Sequence, residues 1–72
     1  MEKDEFVKKV GVRIRNKREE KKLTLETLAS QAGIDYSQLS RIENGRINTS
    51  IYSAYNIAKA LGISITELFI YI

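Results

Sequence analysis

Residues 25–44, LETLASQAGIDYSQLSRIEN, constrain this chain more than any other stretch, because they specify two short helices meeting at a sharp corner. On the first, Leu25, Leu28, Ala29 and Ala32 share one face, and the two alanines are small enough to admit a crossing helix. Gly33, just past the last apolar-periodic residue, suits the left-handed position that ends a helix, with Ile34 plugging the corner. Asp35 is placed to cap the next helix, which buries Leu39 and Ile42. Tyr36, Ser37, Ser40, Arg41 and Asn44 are then left together on the opposite face, which needs either a partner or water.

These residues resemble the helix-turn-helix of the phage-repressor family, the Cro and lambda-repressor-like (XRE-type) domains, with Leu25 as the first residue of a twenty-residue motif. Beyond the motif, the likeness continues through Gly11, Ile14 and Arg18 upstream. Downstream it takes in residues 41–46 (RIENGR), 57–62 (IAKALG) and Glu67-Leu68, so that roughly residues 9–69 are covered. It implies an all-α, compact five-helix fold and sequence-specific binding of double-stranded DNA. Single elements of the pattern occur by chance; the ordered set over most of the chain carries the argument.

Length and composition agree. Seventy-two residues make a single domain, 1–72; a chain this short buries only about 60% of its unfolded surface, so dimerisation would relieve a marginal core. With no Cys and no His, a disulfide frame, an ordinary zinc site, a thiol nucleophile and an imidazole base are all excluded. The expectation is a non-enzyme with no metal, no cofactor and no small-molecule ligand. Residues 1–5, MEKDE, are acidic where a signal peptide is basic, and no segment approaches the ~20 apolar residues of a membrane span. A cytoplasmic, nucleoid-associated protein is expected.

The net charge of +3 is unevenly spread. Between Lys8 and Lys22 stand Lys8, Lys9, Arg13, Arg15, Lys17, Arg18, Lys21 and Lys22 against Glu19 and Glu20. Some of these are expected at phosphates, others as the solvated face of an amphipathic helix.

In chain order, the sequence predicts a frayed lead-in over 1–5 and a first helix over 6–21 with Val7, Val10 and Ile14 inward. Arg18 lies one turn further along that stripe and requires a partner. The resemblance supplies Glu43, and the pair is expected to be structural, tying the first helix to the end of the third. Leu23 closes this helix and Thr24 caps the second. Where the family often has a phosphate-bracing glutamine, this chain has Leu25, leaving Thr24 and backbone amides to meet phosphate.

The third helix, 36–44, is the expected reader of the major groove. The resemblance places Tyr36, Ser37, Ser40 and Arg41 at base edges. The Arg41 fork matches O6 and N7 of guanine, while the two serines specify weakly. Gln38, Asn44, Arg46, Asn48 and Thr49 are expected at phosphates, and Thr49 stands where the family often has proline but can still cap.

A fourth helix, 50–61, is expected to bury Ile51, Ala54, Tyr55, Ile57, Ala58 and Leu61; Gly62 stops it. Ser64 and Glu67 form a capping box for a short fifth helix carrying Ile65, Leu68 and Phe69. The resemblance makes these two helices the dimer surface, and Tyr52 and Tyr55 fit either core or interface. Residues 68–72, LFIYI, favour extended backbone. Leu68, Phe69, Ile70, Tyr71 and Ile72 are therefore expected, with Tyr52, at a homodimer interface, as a short two-stranded ribbon, the alternative being a tail folded onto its own core. The functional expectation is a homodimeric transcriptional regulator on a roughly palindromic operator. The rival is a protein-binding module, such as the antitoxin half of a toxin-antitoxin pair.

Overall fold

The computed structural model describes residues 1–72 as four α-helices, α1 (Lys3–Glu20), α2 (Leu25–Ala32), α3 (Tyr36–Glu43) and α4 (Ile51–Leu61), followed by one 3-10 turn, Ile65–Leu68, with no β-strand. Helix α1 begins three residues earlier than expected. Its first turn carries Asp4 and Glu5, which suit the positive end of the helix dipole, and the Phe6 amide bonds the Glu2 carbonyl at 3.0 Å. Val7, Val10, Gly11 and Ile14 form its buried stripe.

Helix α2 packs on α4 and α1 packs on α3, around a core of Val10, Ile14, Leu28, Ala29, Ala32, Leu39, Ile42, Ala54, Ile57, Ala58, Leu61 and Leu68. At Gly11 the α1–α3 crossing is so close that an added Cβ would lie 2.8 Å from the Glu43 carbonyl oxygen and closer still to that of Ile42. No side chain fits there.

All four α-helices end alike. After α2, Gly33 at φ 70° lets its amide bond the Ser30 carbonyl at 3.2 Å while the Ile34 amide bonds Ala29 at 3.0 Å. Gly45 and Gly62 repeat this closure after α3 and α4. After α1 the left-handed residue is Lys22, at φ 57°, with the Lys22 amide on Glu19 and the Leu23 amide on Arg18.

Several caps differ from expectation. Thr24 caps α2 as expected, accepting from the Thr27 amide at 3.0 Å. Asp35 makes no side-chain cap to α3. Helix α4 is capped by Ser50, which accepts from the Ser53 amide at 3.0 Å, whereas the Thr49 hydroxyl donates to the Ser50 carbonyl. Ser64 makes no capping bond, so the Ser64–Glu67 box does not form. The expected fifth helix is only the 3-10 turn.

Ile51 and Tyr55, expected in the core, are exposed. Tyr55 is one residue, about 100°, off the buried stripe of α4. Ile51 lies on that stripe but past the edge of the core, where it lines a shallow hollow of about 240 Å³ with Phe6, Val10, Ala54 and Phe69. Tyr52 is exposed as well.

The tail is not extended. Residues 69–72 turn back on the protomer, held by the Arg13 guanidinium, which donates to the carbonyls of Glu67 at 2.7 Å and Ile70 at 2.8 Å. The Glu67 carbonyl is one that a four-residue 3-10 turn leaves without a helical partner. Phe69 stacks on Phe6 with ring centroids 6.2 Å apart, and Ile72 packs against the core. Leu68, expected at a dimer surface, is fully enclosed within its own chain.

Candidate nucleic-acid interface

The polar face of α3 exists because Leu39, Ile42 and Glu43 take all the buried positions of an eight-residue helix. Tyr36, Ser37, Arg41 and Asn44 are consequently exposed, while Gln38 and Ser40 are half-buried at the margin. Ser40, Arg41, Asn44 and Arg46 line an open concavity of about 500 Å³ that includes no hydrophobic residue. The molecule's ion pairs are Lys9 with Glu5, Lys17 with Glu20, and Glu43 with Arg15 and Arg18, so Arg41 and Arg46 carry unpaired charge. An anion entering the concavity meets two free guanidiniums and no carboxylate.

Glu43 fixes this face to α1. The Arg18 Nε donates to Oε2 at 2.8 Å and Nη2 to Oε1 at 3.1 Å, while Nη1 donates to the Leu23 carbonyl at 2.8 Å. The pair expected from the sequence is therefore bidentate, and Glu43 is 2% exposed. Its hydrogen bond to Arg18 raises the guanidinium above its ordinary pKa, outweighing the desolvation that lowers it.

Arg15 joins the same carboxylate, with Nε 3.5 Å from Oε1. Its Nη2 donates to the Asn44 Oδ1 at 2.7 Å, and Asn44 Nδ2 donates to the Ser40 carbonyl at 2.8 Å. Sequence reading assigned Arg15 no particular role, since its only local signal is one basic residue among eight.

The remaining sites lie on either side. Asn48 is exposed and Thr49 half-buried in the loop before α4, next to Arg46 in the chain. At the start of α2, the Thr24 hydroxyl is occupied, donating to the Thr27 Oγ1 at 2.9 Å as well as capping. Thr27, also exposed, keeps its hydroxyl hydrogen free, whereas that of Thr24 is committed to Thr27. Leu25 packs against the core. Phe6, Ile51, Tyr52, Tyr55 and Phe69 are large apolar side chains in contact with solvent, and Phe6, Ile51 and Phe69 share a hollow with Asn48 and Thr49. No helix is long and apolar enough to cross a membrane.

Comparison with known proteins converges on one pattern. A family profile described as "Helix-turn-helix" matches residues 14–68. The uncharacterized HTH-type transcriptional regulator y4dJ of Sinorhizobium fredii is 39% identical over 61 residues, 85% of this chain and 79% of its own. Control protein C.MunI of a Mycoplasma species is 38% identical over 60 residues, 82% of this chain and 81% of its own. Among solved structures, the restriction-modification controller protein C.AhdI from Aeromonas hydrophila superposes with a TM-score of 0.86 at 40% identity, covering 88% of this chain and 96% of the other.

Proposed function

This chain belongs to the helix-turn-helix family of transcriptional regulators, and on that premise we propose that it binds double-stranded DNA sequence-specifically, as a homodimer, at a roughly palindromic operator. The observation that carries this reading is the α3 face, exposed, polar and positively charged, with Arg41 and Arg46 free of intramolecular partners. Helix α3 enters the major groove. Tyr36, Ser37, Ser40 and Arg41 meet base edges, with the Arg41 fork on a guanine worth about 1–3 kcal/mol of discrimination.

Thr24, Gln38, Asn44, Arg46, Asn48 and Thr49 serve the phosphates, which set register and salt dependence but not sequence. At Thr24 the free backbone amides of the first turn of α2 take the larger share, because its hydroxyl is occupied. The protein works in the cytoplasm, at the nucleoid, without cofactor or catalysis.

The second copy docks on the apolar surface formed by Ile51, Tyr52 and Tyr55 of α4, with Phe6 and Phe69 at its margin. Ile51 is 82% and Tyr52 73% exposed, an unfavourable arrangement for an isolated small domain. Ile70, Tyr71 and Ile72 contribute at the periphery, since the tail is anchored to its own α1. The same apolar surface favours a second reading, in which the partner is a different protein and DNA binding is secondary, as in an antitoxin.

Hydroxyl-radical footprinting of a bound DNA fragment separates these. Two protected patches on one side of the duplex, about 34 Å apart, are expected, with protection lost in Tyr52→Glu while the variant stays folded. Absence of protection by a folded wild-type protein, or a single patch unchanged in Tyr52→Glu, contradicts the dimeric DNA-binding reading.

A further inference from the structure

Resting on the DNA-binding reading above, we infer that Arg15 of α1 is a positioning residue for one phosphate of the bound DNA, acting through Asn44. A side-chain amide presents an acceptor at one end and a donor at the other, and only the donor suits a phosphate oxygen. At Asn44 this choice is fixed from across the helix crossing. Arg15 Nη2 donates to Oδ1 at 2.7 Å, so the acceptor end is occupied. Nδ2 donates to the Ser40 carbonyl at 2.8 Å and only at 3.5 Å to the Ser40 hydroxyl, a long bond that a phosphate oxygen at the polar concavity can replace. Arg15 and the Ser40 carbonyl hold the amide from both ends, and without Arg15 only the Ser40 bond resists a turn that would present the oxygen to the phosphate.

Arg15 also sets the local charge. Arg18 alone would neutralise Glu43, leaving no net charge on the ion cluster that Arg15 joins to Asn44. Arg15, 3.5 Å from the same carboxylate with its side chain 38% exposed, makes the trio net positive. Its remaining N–H groups stay free for solvent or a phosphate oxygen. The result is a backbone subsite built jointly by α1 and the end of α3.

The test is fluorescence anisotropy of wild type, Arg15→Ala, Arg15→Lys, Asn44→Ala and the Arg15→Ala/Asn44→Ala double variant, on a specific and a scrambled duplex over a salt series. Arg15→Ala should weaken binding to both duplexes by about tenfold and make the log–log salt slope shallower by about 1. Asn44→Ala should cost far less in the Arg15→Ala background than in wild type. Arg15→Lys, which keeps the cation, should recover the slope, and it remains informative if the alanine variant fails to fold. An Arg15→Ala chain matching wild type in affinity and slope, or additive losses in the double variant, overturns this inference alone. A folded wild type without salt-dependent affinity for either duplex overturns both it and the DNA-binding reading.

Discussion

Glu43 is the charged residue of the core, and its carboxylate is shared by Arg18 and Arg15. Truncating one member of such a cluster leaves a buried charge poorly compensated, which is costlier than never having buried it. Arg18→Met is expected to destabilise the fold by about 3–5 kcal/mol, and Arg18→Met/Glu43→Leu to regain most of that, as read by urea unfolding. Because Glu43 raises the Arg18 pKa, the stabilisation from this arginine is complete below its unfolded-state value. It is lost only as pH rises through the higher folded value, beyond the ordinary guanidinium range. The stability difference between wild type and the double variant should therefore stay flat from about pH 7 to about pH 10; a steep fall over that window would contradict the assignment. The resemblance pointed to the partners of this pair because both match the family pattern. Arg15 was not legible in the same way, since what distinguishes it is a bond to Asn44, twenty-nine residues away.

Among the elements, the helix stops are the most regular feature. Gly33, Gly45 and Gly62 all take positive φ, and the sequence announced each of them by placing glycine directly after an amphipathic segment. Lys22 does the same work at φ 57° with a Cβ, at a cost of about 1–2 kcal/mol. Lys22→Gly is expected to raise unfolding stability by about 1 kcal/mol; a lower stability would mean that the lysine side chain contributes more than its backbone strain costs. Nothing local marks Lys22 as left-handed. Its conformation is imposed by where Arg18 and Leu23 must lie, with the Leu23 amide on the Arg18 carbonyl and the Arg18 side chain returning to the Leu23 carbonyl. Caps were harder to read. Ser50 and Thr49 are equally plausible neighbours in sequence, and the bond from the Ser53 amide to the Ser50 hydroxyl decides between them.

For the whole molecule, apolar periodicity located the α2–α3 corner and most of the core, because these contacts are written in spacings of three and four residues. The extended ribbon expected of the tail is not found, and the alternative, a tail folded onto its own core, is what forms. Phe69, Ile70, Tyr71 and Ile72 have the composition of a strand, but Arg13 ties the Glu67 and Ile70 carbonyls to α1. The apolar surface that remains centres on Ile51, Tyr52 and Tyr55 of α4, none of which lines the polar concavity at α3. The most direct measurement is selection of bound duplexes from a random DNA pool by wild type and by Arg41→Ala at fixed salt. The account predicts an enriched, roughly palindromic motif whose guanine preference disappears in Arg41→Ala; no enriched motif from a folded wild-type protein, or a motif unchanged by the substitution, would contradict it.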